Sequence, residues 1–582
     1  MTNLTPTLPS PNLVPFVVAA AGHRDLRQQD TNELLAQTRT VLKQMRNRMP
    51  HTPLVLLNGL AEGADQLIAQ AALLEGVSLV AALPMPVEIY KAQMPGEAQQ
   101  KFDELLSQCI FRVQMPNEGR SEEQMRISEE TRADCYEELA LFLAQNSQAL
   151  IALWDGKDSE KKGGTSRVVR YVSEGIQVES LSEEEPQPGI IYQIVTPRES
   201  GSIPLDALSL HLLIGKADGK DRNSKNRELV TLSRSQFDLL EQNIERFNRD
   251  AIQWPLQQDK YRLIPAREAD RLPAFLQRLE VLHRQADALS IRANVLRTRF
   301  FSAILAAALG GTLTYAVHED FFLASVVLWL ALPVFIAVAA VVYKIAKAKR
   351  VEDRYLDARA FAEALRVQFF WEMAGVVKPV ADYYLLRHRT EMDWIRSALR
   401  NVWLFRSAEP SSTILQPNLH AVLNHWILDQ EHWYRAKAKR QKAAVKRREL
   451  LSRYAVWLVV IWSVLVPVSL LVHAPWGWLA VLQSVDRNEP WYGMAHFLLV
   501  LPALLVGAYS LWTEQAGYEE QAREYAQIGR FLSWQSKLLN TNLDNPTKAC
   551  EILMATGIEA LEENGRWLLL HRERPLQVIS SP

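Results

Sequence analysis

Cysteine is nearly absent. Cys109, Cys135 and Cys550 are the only three in 582 residues, and they lie far apart. They match no metal-ligand spacing and cannot build a disulfide framework or a zinc ribbon, which points to a reducing compartment for the segments that carry them. Net charge is missing as well. Lys and Arg number 65 against 66 Asp and Glu, a formal charge of −1. Such a balance argues against a nucleic-acid coat or an acidic tail protein, and no nucleic-acid partner is expected. Met1–Asn12 has neither a charged n-region nor an apolar core, so no signal peptide is expected there. No resident metal or cofactor is expected either. Against these absences, 48% of the residues are hydrophobic and 23% charged, a composition that orders. For a soluble protein the length corresponds to about three to five domains.

Charge is also absent locally. Four runs contain no Asp, Glu, Lys or Arg: Phe300–Val317, Phe321–Tyr343, Tyr454–Val472 and Trp491–Thr513. Each approaches or reaches the roughly 17–25 residues that a helix needs to cross a bilayer. Only His318, Glu319 and Asp320 separate the first two, which reads as a helical hairpin. Soluble helices rarely lack a polar face over such lengths, so the lipid bilayer is an expected partner. Basic residues flank the pairs: Arg292, Arg297 and Arg299 before the first run, Lys344, Lys347, Lys349 and Arg350 after the second, and nine between Arg435 and Arg453. The loops inside the two pairs hold Arg487 alone. The positive-inside rule then places both termini in the cytoplasm of a multi-pass protein of the inner (plasma) membrane. Trp476, Trp478, Trp491, Tyr492 and Trp512 sit at the ends of the second pair, where amphipathic rings prefer the interface.

The layout repeats. Ala358-Arg-Ala-Phe-Ala-Glu-Ala-Leu-Arg366 follows the second run and Ala522-Arg-Glu-Tyr-Ala-Gln-Ile-Gly-Arg530 follows the fourth. Both fit Ala-Arg-x-aromatic-Ala-[Glu/Gln]-x-x-Arg, which suggests a duplicated unit of basic helix, hairpin and cytoplasmic helix. Phe361, Leu365, Phe369 and Met373 form a helical stripe that reads as helix–helix packing, and Arg359 and Glu363 fall four apart as a charge pair.

The N-terminal part alternates strands and helices. Phe16–Ala20, Pro53–Leu57, Val77–Leu83 and Ala149–Leu153 read as buried parallel strands, with helices over Thr31–Met49 and Gln66–Glu75. Polar and glycine residues cluster where the strands end: Gly22, His23, Arg24 and Asp25; Gly59, Glu62, Gly63 and Asp65; Pro84 to Tyr90; Asp155; and Gly163, Gly164 and Thr165. Ligands of open α/β sheets sit at such ends, over helix N-termini whose free N–H groups bind phosphate. Each glycine taken alone reads equally as a tight turn. Together they predict a pocket for a nucleotide-derived small molecule, with Arg24 placed to meet phosphate and Asp65 to cap its helix or accept ribose hydroxyls.

Gly22-His-Arg-Asp25, Gly59-Leu-Ala-Glu-Gly-Ala-Asp65, Trp154-Asp-Gly156 and Gly163-Gly-Thr165 resemble the SLOG superfamily over roughly residues 14–197. This is the nucleotide-binding domain shared by cytokinin-activating LOG enzymes, DNA-processing protein A and melastatin-type TRP channels. The hairpin-plus-helix layout is similar to the SLATT effectors, two-span modules of bacterial conflict systems. The resemblance implies a membrane effector that senses a nucleotide signal in antiviral defence. It departs from LOG enzymes at one place: no Glu stands three residues after Thr165, where their glycosidic-cleavage acid lies, so binding without hydrolysis is implied. Glu62 keeps open the alternative of a membrane-tethered nucleotide hydrolase.

The expected architecture is a Rossmann-like open α/β sheet followed by an all-α membrane region. Its parts are a nucleotide-binding domain over 14–200, a linker and cytoplasmic helices over 201–299, hairpins over 300–343 and 454–513, a cytoplasmic helical region over 344–453, and C-terminal helices over 514–582. Four spans are few for a pore, so a homo-oligomer is implied; Ala306/Gly310 and Ala307/Gly311 place small residues four apart on one face, for close helix approach or for an ordinary hairpin contact with the second run.

Overall fold

The computed structural model describes residues 8–116, 119–159, 162–175, 189–200, 203–214, 224–256, 262–322, 325–384, 393–408, 418–473, 490–515 and 518–572. The chain divides into two compact units. The first comprises Met1–Leu289, Ala358–Pro417 and Gly557–Gly565, and the second Ser290–Asp357, Asn418–Thr556 and Arg566–Pro582.

The first unit is built on a sheet of seven strands: β1 (Phe16–Gly22), β2 (Leu54–Asn58), β3 (Ser78–Leu83), β4 (Phe111–Gln114), β5 (Ala149–Trp154), β6 (Ile190–Val195) and β7 (Leu210–Ile214). Their order is β4-β3-β2-β1-β5-β6-β7, parallel throughout except for β7, which runs antiparallel to β6. The central strands are runs of Val, Ala, Leu and Ile with both faces buried, as a sheet covered on both sides requires. Helices α1 (Thr31–Arg48), α2 (Ala64–Leu74), α3 (Val87–Lys91), α4 (Gly96–Ser107), α5 (Glu122–Ile127), α6 (Glu129–Gln145) and α7 (Thr165–Glu174) make the crossovers.

Two further helices close the amino edge of this sheet. In α8 (Ser224–Gln253), the buried Asn248 accepts from the amide of Val14 and donates to its carbonyl, both at 2.8 Å. After α9 (Ala266–Ala269), α10 (Ala274–Phe321), α11 (Val326–Ala348) and α12 (Val351–Ala374) comes α13 (Asp393–Leu404). Its buried Asn401 donates to Pro15 O and Gln148 Oε1, each at 2.8 Å. Strand-end backbone groups that would otherwise lie unpaired are thereby satisfied. The aromatic stripe of α12 is core: Phe361, Phe369, Phe370 and Trp371 are fully buried, and Phe361 packs on Phe247 and Trp394. Helix packing was the sequence expectation for this stripe, but the sheet unit takes in residues 358–417 as well as 14–200. Glu363 pairs with Arg366, three residues on, at 2.6 Å.

The second unit is helical. A short α14 (Leu419–Val422) runs through a π-helical turn, Leu423–Leu428, into α15 (Asp429–His473). Then follow α16 (Pro490–Gln515), α17 (Tyr518–Asn540) and α18 (Pro546–Arg572).

Among the described residues, two helices are long and apolar enough to cross a membrane, not four. They are the later part of α10 and α11. Their apolar side chains lie open on many sides, with Val327 79%, Ile336 60% and Trp329 58% exposed, unlike a soluble core helix. The hairpin turn is displaced from its expected place. Helix α10 runs on through His318–Phe321, and α11 begins only at Val326, where Ser325 caps it by accepting from Leu328 N. A break follows at Lys349-Arg350, Arg350 having a φ of 46°. The fourth charge-free run yields a shorter apolar helical segment, Val500–Trp512. The third lies at the end of α15, and its connection to the fourth, with Trp476, Trp478 and Arg487, lies outside the described residues. Gly310 and Gly311 face Phe335 of α11, where a Cβ on Gly310 would stand 2.9 Å from the ring. The small residues therefore serve the close approach of α10 and α11 within one chain.

Candidate functional site

The strand order reverses between β1 and β5, which leave the sheet toward opposite sides. Such a switch point opens a crevice at the carboxyl edge. His23 follows β1 and Asp155 follows β5, so the two meet there. His23 is 3% exposed. Its Nδ1 lies 2.8 Å from Arg198 Nη2 and its Nε2 lies 3.1 Å from Asp155 Oδ1 and 3.0 Å from the Asp155 amide. Both ring nitrogens face an obligate donor, Arg198 Nη2 at Nδ1 and the Asp155 N–H at Nε2, while the Asp155 carboxylate beside Nε2 draws a proton there, so these contacts compete for the single ring proton. Burial, then the charge of Arg198, lower the His23 pKa, while Asp155 pulls the other way. The imidazole is therefore neutral near pH 7. Arg198 also reaches Asp155 Oδ2 at 3.4 Å, and Ser200 Oγ donates to Asp25 at 2.9 Å. The segment after β6 is thus strapped across the end of β1.

The turn between β2 and α2 supplies the next wall. Asn58 is fully buried; its Oδ1 accepts from Leu60 N at 2.5 Å and its Nδ2 donates to Asp65 O at 2.8 Å. These bonds hold Leu60 at a φ of 56°, a left-handed conformation that a branched side chain rarely adopts. Gly63 has a φ of 86°, and a Cβ there would stand 2.3 Å from Arg24 O. Helix α2 is docked so tightly on the end of β1 that Ala64 N donates to His23 O at 3.0 Å. Gly63 is consequently needed for backbone packing and offers no space for a phosphate on that side. Gly22 and Gly163 are similarly enclosed, by Ala64 and by Tyr136 respectively. Gly164 differs: among the described residues nothing lies within 4 Å of its Cβ position, and it stands at the start of α7 with no side-chain cap.

Asp65, in the first turn of α2, has its pKa raised from 3.8 to about 7 by burial, against the opposing pull of the Ala61 amide, Arg24 and Gly22. Arg24 is exposed and lies 5.3 Å from the centre of the Tyr136 ring, a cation–π distance. Tyr90, in α3 beyond the buried Pro84, is 1% exposed and packs edge-on against Phe102. Among the described residues its hydroxyl has no hydrogen-bond partner. Burial, with Tyr136 and Asp65 within electrostatic reach, raises its pKa well above the usual value. Glu62 is half-buried on the same turn.

The chain segments of Gly22–Asp25, Gly59–Asp65, Pro84–Tyr90, Asp155 and Gly163–Thr165 all leave the same edge of the sheet. Three participants were invisible to the motif reading. Tyr136 bridges to the α3 side, its OH donating to Gln93 at 3.0 Å. Glu137 holds the glycine turn before α7, accepting from Gly163 N at 2.9 Å and from Arg167 Nε at 2.8 Å. Although partial burial pushes the Glu137 carboxyl up, Tyr171, Arg167 and the Gly163 amide hold it below the usual range. Asn58 is the third. Tyr136 and Glu137 lie in mid-helix, in α6, where no glycine or strand end marks them.

The fold and site define an open, doubly wound α/β unit with polar residues gathered at the carboxyl edge of its switch point, in a chain with two described helices long and apolar enough to span a membrane. Searches against protein-family models, curated proteins and solved structures returned no match.

Proposed function

We propose that the protein is a membrane effector whose α/β unit senses a nucleotide-derived signal. The carrying observation is the buried Tyr90 hydroxyl, which has no partner among the described residues and lies within electrostatic reach of Asp65 and Arg24 at the carboxyl edge of the sheet. An unmet buried donor costs about 1–3 kcal/mol, so a site that retains one is matched to a ligand that completes it. Arg24 supplies exposed positive charge for phosphate, and the uncapped start of α7 at Gly164 supplies backbone N–H groups. The resemblance to SLOG domains and SLATT effectors supports the same reading and suggests a place in antiviral defence. Without the LOG-type acid after Thr165, the site binds and does not cleave.

In this reading four helices span the membrane as two duplicated hairpins with both termini cytoplasmic, and copies of the chain assemble around a pore or breach. The aromatic residues matched in the repeat support the duplication: Phe361 and Tyr525 are both buried in aromatic clusters of their own units. Helices α10, α12 and α18 each continue from one unit into the other and provide covalent routes for a ligand-dependent change. A ligand shifts such an equilibrium only by its difference in affinity for the two states, about 1–3 kcal/mol in typical couplings. The test is calorimetric titration of the purified full chain with a panel of cyclic and linear nucleotides, followed by dye release from liposomes holding the protein. A nucleotide that binds tightly and triggers release is expected. A nucleotide that is turned over while the liposomes stay sealed replaces this reading with that of a tethered hydrolase.

A further inference from the structure

Helix α15 carries a basic face that the ligand site does not use. Lys439, Arg440, Lys442, Lys446, Arg447 and Arg453 are all exposed. At about 100° per residue they fall on one half of the helix. The opposite half is the packed one: Ala438 and Gln441 are buried, and Gln441 donates to Gln521 of α17 at 2.6 Å. Among the described residues none of the six meets an acidic partner, whereas their neighbours do. Arg435 pairs with Glu431 at 3.0 Å and Arg448 with Glu519 at 3.6 Å. The unpaired charge is therefore confined to the outward face.

The same helix continues without a break into exposed apolar surface. Tyr454 is 64%, Trp457 63% and Ile461 53% exposed. A row of free cations ends at Arg453, and a tyrosine and a tryptophan begin the apolar stretch beyond it. Headgroup anions, the interfacial level preferred by amphipathic rings, and acyl chains follow one another in that order. A nucleic acid would match the cations and leave the apolar girdle unexplained.

We propose that this face of α15 is a binding surface for anionic phospholipid headgroups, selecting them over zwitterionic ones. The inference rests on the membrane reading above and adds a lipid preference to it. Each Lys or Arg at an anionic surface contributes about fivefold in affinity before screening. A preference of at least about tenfold is therefore expected even if only two of the six engage fully.

The experiment uses the full chain in detergent, titrated with fluorescent short-chain phosphatidylglycerol or phosphatidylcholine of identical acyl composition. The wild type is expected to prefer phosphatidylglycerol by about tenfold or more, and the preference should shrink as salt is raised. The variant K439Q/R440Q/K442Q/K446Q/R447Q should lose it. The milder K439Q/K446Q should lose part of it, and K439R/K446R should keep it. Equal affinity of the wild type for the two lipids overturns the proposal. So does tighter binding of a short single-stranded oligonucleotide that the same Gln variants abolish, which would mark a nucleic-acid face. Release of the protein from membranes by carbonate wash defeats the membrane reading itself, whereas retention with no lipid preference defeats this inference alone.

Discussion

Replacing Asp65 with Asn removes a charge that the fold resists. Burial raises the Asp65 carboxyl from 3.8 to about 7. The folded state therefore binds more protons than the unfolded state between those values, and stability falls as pH rises from about 4 through 7. At about 1.36 kcal/mol per tenfold change in acidity, the full cost of ionisation above pH 7 is at most about 4 kcal/mol. Relaxation and water entry reduce this, so Asp65→Asn should stabilise the α/β unit by about 1–3 kcal/mol at pH 8 and by little at pH 4.5. Hydrogen exchange of the full chain, read at amides of β1, β2 and α2, measures this locally without requiring a two-state transition. Equal protection of variant and wild type across pH 4.5–8 refutes the reasoning. The same carboxyl gives a signature on binding. A ligand that donates hydrogen bonds to the carboxylate lowers its pKa, so binding near pH 7, where the carboxyl is about half protonated, should release up to about half a proton. Calorimetry in two buffers of different ionisation enthalpy measures that number, and uptake of a proton would place the ligand's donors elsewhere.

Tyr90→Phe removes the unpartnered buried hydroxyl and should leave the thermal midpoint unchanged or raise stability by about 1 kcal/mol, while weakening nucleotide binding about tenfold; thermal unfolding and calorimetry on one sample check both. Gly63→Ala should destabilise by more than about 1 kcal/mol through its positive φ and its collision with Arg24 O, whereas Gly164→Trp should keep the fold and block binding; exchange protection of α2 separates the two effects. Asn401→Ala, which leaves Pro15 O and Gln148 short of a partner, should cost about 2 kcal/mol, measured by denaturant titration. A cysteine placed at Arg435 should resist an impermeant thiol reagent added outside cells, and strong labelling would reverse the proposed topology.

Much of the α/β framework is legible in local pattern. Strands β1, β2, β3 and β5 are apolar runs ended by glycine, proline or polar residues, and the amphipathic pattern marks α1 and α2. These signals are carried within a window of a few residues, where side-chain alternation and turn chemistry act directly on the backbone. The edge strands are a different matter. Phe111–Gln114 is four residues long and half exposed, and β7 is antiparallel and mostly uncovered, so neither has a continuous apolar run to announce it.

Long-range packing decided the rest. Gly63 and Gly164 look alike in a motif, yet a Cβ on one would meet a carbonyl at 2.3 Å and on the other would meet no described atom within 4 Å. Glu137 holds the glycine turn and Asn401 closes the strand entrances from 386 residues beyond Pro15. Contacts at such separations depend on which surfaces the folded chain brings together, and no local propensity encodes them. The four charge-free runs show the same division. Composition alone marks them as apolar, but only the helix boundaries, the cap at Ser325 and the exposure of the side chains leave two described helices of spanning length and openness.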